Sequence, residues 1–318
     1  MIVRPVVAVL EDAVPVRGLE EVARDADLLV TDADGLAEAM GRADALLMWD
    51  FFSDTAAALL AAGVPPRLRW IHVAASGVDG ILSPAVVDAD VQVTNAAGVF
   101  ERPIAEYVLA CVTAHTKQLA RSAHRQSRRE WAPRETADFT DARVVVLGAG
   151  AIGRELRRLL GAIGMNVTLV ARTARATPDG PVHAVSSLCE ALADADVFVV
   201  ALPLTAETRG LVSDDVLRAL PPSALFVNVG RGLTVDEEAL IDALRGGRLA
   251  AAALDAFAVE PLPADSPLWS DPRVFVSPHS SSRTHGWRDR LAAQFVAQYR
   301  LWRAGSSFSA AVDKKRGY

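Results

Sequence analysis

The chain has 318 residues, enough for two domains of ordinary size. Its 33 basic and 39 acidic residues give a net charge of −6, which disfavours a nucleic-acid-binding protein, because neutralising phosphates requires a basic face. Two cysteines are too few for a disulfide framework or a four-ligand zinc site, and no apolar run reaches the roughly 18 residues of a membrane helix. We therefore expect a cytoplasmic protein with no metal and no membrane partner.

The first hundred residues alternate short apolar runs with helical segments. The first run is cut off by Glu11 and Asp12, which predicts a strand over 5–10 rather than a signal peptide. Strands alternating with helices are typical of parallel βαβ units. The remaining predicted strands cover 28–30, 45–49, 70–73 and 91–94, and the helices cover 18–24, 36–41 and 55–62. His72, near a strand end, is either a structural histidine or part of the substrate site.

A long helix is predicted over 103–129. Pro103 suits its first turn, and apolar residues recur at helical spacing as far as Cys111. The basic stretch over 121–129 predicts a solvated face.

The second half repeats the pattern more strongly. Short apolar runs of the kind buried in parallel sheets cover 144–147, 167–170, 197–201, 225–229, 250–254 and 274–277. A helix is predicted over 153–163, and a last helix over 287–303. This arrangement predicts an α/β fold with two doubly wound parallel sheets.

A glycine pattern, G-x-G-x-x-G, lies at Gly148, Gly150 and Gly153. It follows an apolar strand and opens a helix, the context that a dinucleotide-binding turn requires. The helix N-terminus offers free N–H groups to a pyrophosphate. The alternative is a glycine-rich turn with no ligand.

The end of the next strand decides between the two nicotinamide dinucleotides. An NAD-binding protein usually carries an acidic residue there for the ribose 2′-hydroxyl, whereas this chain has no carboxylate before Asp179. Arg172 and Arg175 are suited to a 2′-phosphate, although they are also interpretable as solvated loop residues. The sequence therefore predicts a preference for NADP(H), with NAD(H) possible.

Three charged residues follow three successive predicted strands: Arg231, Glu260 and His279. Ligands of open α/β sheets bind outside the carboxyl ends of the strands. An arginine clamps a carboxylate, a protonated histidine donates to a carbonyl oxygen, and an adjacent carboxylate stabilises the imidazolium. Each residue alone has an ordinary structural interpretation, but together they favour hydride transfer to a 2-keto acid.

Several motifs resemble the D-isomer-specific 2-hydroxyacid dehydrogenases. The similarity runs along nearly the whole chain and resides in the segments 75–81, 95–99, 104–107, 202–210, 228–232, 255–261 and 277–279. The absent strand-end carboxylate and Ala171-Arg172-Thr173 resemble the glyoxylate/hydroxypyruvate reductase branch. Ser280-Ser281-Ser282 and Gly80 depart from the common pattern, which leaves the substrate open.

The resemblance implies a Rossmann/flavodoxin-like fold with a cleft between two domains and a homodimer. It implies a discontinuous substrate domain, 1–97 plus 284–318, and a dinucleotide domain, 98–283. Arg231, Glu260 and His279 would be catalytic, and Ser76 and Gly77 would bind the substrate with Arg231 and His279. The cofactor would contact Gly148, Gly150, Ala151, Ile152, Gly153, Arg172, Thr173, Arg175, Leu202, Pro203, Thr208, Val229, Gly230 and Asp255.

Two functions follow from the sequence. The first is an NAD(P)H-dependent reductase of small 2-keto acids that forms D-2-hydroxy acids. The second is a dinucleotide-sensing, corepressor-like binding protein without significant turnover, which the complete catalytic trio and the lack of a basic extension in the chain disfavour.

Overall fold

The computed structural model describes residues 4–318 as two compact units. The first unit contains the residues up to Phe100 together with Thr284–Tyr318, and the second contains Glu101–Arg283. The chain therefore leaves the first unit, completes the second and returns.

The first unit is built on a five-stranded parallel sheet in the order β2-β1-β3-β4-β5. Its strands are β1 (Val6–Leu10), β2 (Asp27–Thr31), β3 (Ala45–Met48), β4 (Trp70–Val73) and β5 (Gln92–Thr94). Its helices are α1 (Glu20–Asp25), α2 (Leu36–Arg42), α3 (Asp54–Ala62), α4 (Pro84–Asp88) and α11 (Trp287–Arg303). α3 and α4 begin at serine N-caps that accept backbone N–H groups, as the first turn of a helix requires.

The returning segment covers the middle of this sheet. Trp70 on β4 is fully buried and stacks on Phe295 of α11 at 5.2 Å between ring centroids. Trp302 and Phe308 pack against the same indole at 5.5 and 5.1 Å. Aromatic residues bury more apolar area than any others, so the last 35 residues complete the core of the first unit.

The second unit is built on a seven-stranded parallel sheet in the order β12-β11-β10-β9-β6-β7-β8. Its strands are β6 (Arg143–Leu147), β7 (Asn166–Ala171), β8 (Val182–Ala184), β9 (Val197–Val200), β10 (Leu225–Asn228), β11 (Ala251–Leu254) and β12 (Val274–Val276). Its helices are α5 (Glu101–Thr116), α6 (Leu119–Ser127), α7 (Ala151–Gly161), α8 (Leu188–Leu192), α9 (Asp214–Arg218) and α10 (Glu237–Arg245).

The central strands are apolar on both faces because helices cover both sides. All four residues of β9 and all four of β10 are buried, and Phe198 and Phe226 meet edge-on between them at 5.6 Å. At the sheet edge β12 is only partly covered, and its Phe275 is 57% exposed. The predicted α/β class with two parallel sheets is confirmed.

The single helix predicted over 103–129 is wrong. The chain breaks between α5 and α6 at Gln118, whose φ of 52° is left-handed and cannot continue an α-helix. The basic stretch does form a solvated face, since none of the residues of α6 is buried. The short edge strand β8 has no counterpart among the predicted strands.

His72 on β4 belongs to the core. Its side chain is fully buried, and its Nδ1 lies 2.8 Å from Thr94 Oγ1, which also accepts a hydrogen bond from the indole N–H of Trp70. Its Nε2 is buried without a hydrogen-bond partner. Burial disfavours the charged ring and lowers the pKa of His72 to about 3.

This histidine predicts a loss of stability in mild acid. The unfolded chain takes up a proton near the ordinary histidine pKa of 6.5, whereas the folded chain does so only near 3. The contribution of a neutral, buried His72 to the free energy of unfolding is therefore fully present above pH 6.5. It is lost as the pH falls towards 3, and the total loss is at most about 5 kcal/mol. The free energy of unfolding, measured with urea between pH 7.5 and 5, should depend less on pH in His72→Asn than in the wild type. His124→Asn, at an exposed histidine of α6, is the control, and a parallel slope for all three proteins would contradict the prediction.

Candidate active site

The sequence-predicted residues of the second unit lie at one edge of its sheet. β6, β7, β9, β10, β11 and β12 run parallel, and the loops that follow their carboxyl ends carry the glycine turn, the arginine segment and the three charged residues. The reversal of strand order falls between β6 and β9, next to the glycine turn. Such a switch point is where open α/β sheets bind their ligands.

The glycine turn has the shape that a dinucleotide needs. Gly148 has a φ of +130°, and a Cβ there would lie 2.4 Å from the carbonyl oxygen of Ala201. A Cβ at Gly153 would lie 1.9 Å from the carbonyl oxygen of Gly148, so the start of α7 approaches β6 closely. By contrast, no atom lies within 4 Å of a Cβ built at Gly150. This open space at Gly150 lies at the N-terminus of α7, where the backbone N–H groups of residues such as Ala151 and Ile152 can receive a pyrophosphate.

Arginines surround this turn. Arg175 donates to the carbonyl oxygen of Ala149 at 3.3 Å, and Arg154 of α7 reaches the same oxygen at 3.5 Å. Arg172, directly after β7, is paired with Glu207 at 3.0 Å, and both side chains are more than half exposed. Thr173 lies between the two predicted arginines and is exposed. The structure therefore places two arginines, Arg175 and Arg154, beside the glycine turn.

The next two loops pack tightly against each other. Thr208 donates from its hydroxyl to the carbonyl oxygen of Pro203 at 2.7 Å, which closes the loop after β9. A Cβ at Gly230 would lie 2.8 Å from the carbonyl oxygen of Leu202. Val229 is buried at the end of β10, so these predicted cofactor residues sit in adjacent loops.

The backbone at Arg231 is held from both sides. The Thr234 hydroxyl and the Asn228 amide donate to its carbonyl oxygen at 2.6 and 3.3 Å. A Cβ at Gly232 would lie 1.8 Å from the backbone of Phe257, so only glycine fits after the arginine. The guanidinium donates to the carbonyl oxygen of Gly230 at 3.1 Å. Arg231 is thus carried on a rigid turn.

Glu260 and His279 are joined by a hydrogen bond. His279 Nδ1 lies 2.8 Å from one carboxylate oxygen of Glu260, and the other oxygen accepts the backbone N–H of Phe257 at 2.9 Å. Burial raises the pKa of Glu260, but the hydrogen bonds from His279 and Phe257 and the charge of Arg231 outweigh it, so the pKa lies below its ordinary value. An ionised Glu260 can only accept, so Nδ1 carries a proton and Nε2 is left to exchange one with a substrate.

Asp255 after β11 is buried beneath the histidine loop. It is 2% exposed, and its carboxylate accepts the backbone N–H groups of Ser280 and Ser281 and the hydroxyl of Ser277. Oδ2 receives one of these bonds, from Ser281 at 3.0 Å, and has capacity for another donor.

The predicted substrate residues of the first unit lie in the turn after β4. Ser76 and Gly77 are partly exposed, and the Asn95 amide donates to the carbonyl oxygen of Ser76 at 2.8 Å. Arg231 and His279 belong to the second unit.

Within residues 4–318, no group of three or more His, Cys, Asp or Glu side chains is arranged to hold a metal, and no helix has the length and apolarity to cross a membrane.

Sequence reasoning missed two parts of this site. Arg154 approaches the glycine turn, and its position one residue after Gly153 in the first turn of α7 was an available signal. Tyr107 of α5 lies 2.7 Å from Ser277 Oγ, a contact between residues 170 positions apart that no local motif reveals.

Comparisons with known proteins identify the family of this chain. Residues 109–281 match the family model described as D-isomer specific 2-hydroxyacid dehydrogenase, NAD binding domain. A glyoxylate/hydroxypyruvate reductase B from Pectobacterium atrosepticum is 35% identical over 72% of this chain and 73% of its own length. A D-3-phosphoglycerate dehydrogenase from Mycobacterium tuberculosis is 34% identical over 96% of this chain but only 56% of its own length.

A solved structure extends the similarity to almost the whole fold. A D-isomer specific 2-hydroxyacid dehydrogenase from Xanthobacter autotrophicus, crystallised with NADPH and MES, superposes with a TM-score of 0.82 at 31% identity and covers 99% of this chain and 100% of its own. The chain belongs to the D-isomer specific 2-hydroxyacid dehydrogenase family.

Proposed function

We propose that the protein reduces small 2-keto acids of the glyoxylate and hydroxypyruvate type to D-2-hydroxy acids. The observation that carries this proposal is the Glu260–His279 hydrogen bond at 2.8 Å, at the same edge of the sheet as Arg231 and the glycine turn. A clamp for a carboxylate and a donor for a developing alkoxide are the two groups that such a reduction requires. The relative from Pectobacterium supports this substrate class.

Each residue of the trio has a separate task. The glycine turn and the loops after β9 and β10 would hold a nicotinamide dinucleotide, which would supply the hydride for the carbonyl carbon. The Arg231 guanidinium holds the substrate carboxylate in a planar fork. His279 hands the proton on Nε2 to the carbonyl oxygen as negative charge develops there. Glu260 holds the ring through Nδ1 and stabilises its protonated form before transfer.

The cofactor proposed is NADP(H). Arg175 and Arg172 follow β7, where an acidic partner for a ribose 2′-hydroxyl would otherwise stand, and Arg154 adds a third positive charge near Ala149. Charge-assisted contacts from guanidinium groups favour a 2′-phosphate. The related structure from Xanthobacter contains NADPH, which supports the same choice. Asp255 Oδ2 has the capacity to accept a hydrogen bond from the nicotinamide carboxamide.

The direct test is a spectrophotometric screen. NADPH and NADH oxidation are followed at saturating glyoxylate, hydroxypyruvate, pyruvate and 3-phosphohydroxypyruvate. We expect turnover with the first two and a higher kcat/KM with NADPH. Tight NADPH binding without oxidation by any keto acid would overturn the proposal and favour the corepressor-like alternative.

Cofactor preference gives a sharper prediction. The double variant Arg172→Ser/Arg175→Ser should lower kcat/KM for NADPH by about 10- to 100-fold, since two charge-assisted hydrogen bonds to the 2′-phosphate are lost. The value for NADH should change by less than about threefold, because NADH has no phosphate there. The matched control is Arg218→Ser, at an exposed arginine of α9 paired with Asp214. An equal loss with both cofactors would contradict the assignment.

A homodimer built through the dinucleotide-binding unit remains a prediction. α6 has no buried residue, and Trp131 in the following segment is 96% exposed. Large exposed aromatic residues of this kind are common in interfaces.

A further inference from the structure

A chain of hydrogen-bonded side chains connects α5 to the loop that carries His279. Tyr107 Oη lies 2.7 Å from Ser277 Oγ, and Ser277 Oγ lies 2.5 Å from Asp255 Oδ1. Ser277 and Asp255 are 7% and 2% exposed. All these residues, and His279, belong to the second unit.

The direction of these hydrogen bonds is determined by their chemistry. Ser277 donates its single hydroxyl proton to Asp255 Oδ1. Ser277 Oγ then has only lone pairs for Tyr107, and the Tyr107 hydroxyl must donate. Burial raises the pKa of Tyr107, which keeps this hydroxyl protonated. Each member of the chain therefore has a unique role as donor or acceptor.

Asp255 also accepts hydrogen bonds from the backbone of the loop that carries His279. Its carboxylate accepts the N–H of Ser280 at 2.8 Å and that of Ser281 at 3.0 Å, the two residues directly after His279. On the other side of His279, Ser277 accepts the histidine N–H at 3.0 Å through its carbonyl oxygen. Both flanks of His279 are thus tied to one buried carboxylate.

The histidine itself needs such support. His279 has a φ of +48°, a left-handed conformation that side chains other than glycine rarely adopt. A residue in this region persists only where surrounding contacts impose the conformation, and such residues cluster at active sites.

We propose that Tyr107, Ser277 and Asp255 are positioning residues that hold the His279 loop in its strained conformation and so keep the imidazole on Glu260. This inference rests on the proposed reduction of 2-keto acids by His279. It assigns Asp255 a task in the orientation of the proton donor, in addition to its predicted contact with the cofactor. It also makes α5 part of the catalytic framework.

The decisive variant is Ser277→Ala, with Tyr107→Phe as a milder second variant. Ser277→Ala should lower kcat by about 10- to 100-fold through misplacement of the proton donor, with less than about a threefold change in the KM for the keto acid and in the Kd for NADPH. Ser277→Thr restores the hydroxyl and should recover most of kcat. Ser282→Ala, at a serine of the same loop outside this chain of hydrogen bonds, is the matched control.

A second measurement does not depend on turnover. Histidine labelled with ¹³C at Cε1 gives one resonance for His279, identified by its absence in His279→Asn. This resonance should shift and broaden in Ser277→Ala and remain close to the wild type in Ser277→Thr and Ser282→Ala.

The two measurements separate the possible failures. If the wild type reduces no keto acid, the proposed function fails, and the His279 resonance alone decides the positioning role. If the wild type is active but Ser277→Ala leaves kcat and the resonance unchanged, the positioning role is overturned. A loss of kcat that Ser277→Thr does not recover, with an unmoved resonance, overturns it as well.

Discussion

His279→Asn should lower kcat for keto acid reduction by about 10²- to 10⁴-fold, the range that a positioned general acid contributes. Asparagine preserves a hydrogen bond to Glu260, whose oxygen lies 2.8 Å from the imidazole, but it has no proton to transfer at neutral pH. NADPH binding should change little, because the imidazole is not among the predicted cofactor contacts. Steady-state kinetics with the best keto acid of the screen, together with fluorescence titration of NADPH, measure both effects.

The control for this variant is His183→Asn. His183 is an exposed histidine on β8 of the same unit and lies outside the strand-end loops that carry the trio. It should retain the wild-type kcat. A His279→Asn enzyme with near-wild-type turnover would refute the role of proton donor.

Arg231→Ala should lower kcat/KM for the keto acid by about 10²- to 10³-fold, because a charged and hydrogen-bonded partner of the substrate carboxylate is removed. Arg231→Lys should recover only part of this loss, since an ammonium group offers a point charge and not a planar fork. The turn that carries the residue is held through its backbone by Asn228 and Thr234, so neither change should unfold the loop. Thermal unfolding and kcat/KM are measured side by side.

Arg218→Ala, which removes an exposed i,i+4 ion pair on α9, is the matched loss of charge. It should leave kcat/KM unchanged. If Arg231→Ala behaved like this control, the substrate carboxylate would be held by another group.

The sequence predicted the framework of the site because local patterns determine it. An apolar strand, three glycines and a helix start are adjacent in the chain, and the structure shows β6, the left-handed Gly148 and α7 in that order. Parallel strands bring their carboxyl ends to one edge, so Arg231, Glu260 and His279 were predicted together without any knowledge of distances.

Features that depend on distant contacts were not predictable. No local signal in the sequence separates α5 from the basic stretch that follows it, and the left-handed turn at Gln118 is seen only in the structure. The complete burial of His72 depends on packing against Phe295, more than two hundred residues later. The hydrogen bonds between Tyr107 and Ser277 and between Ser277 and Asp255 likewise join three separate segments of the chain. None of these segments has a local pattern that predicts the contact.

The discontinuity of the first unit has a consequence for biosynthesis. When the ribosome has made β1 to β5, Trp70 still lacks Phe295, Trp302 and Phe308, which are translated about two hundred residues later. Meanwhile the second unit emerges as one continuous segment and has all its partners. We therefore expect the second unit to mature first, while Trp70 of the N-terminal sheet stays uncovered until α11 and Phe308 have been translated.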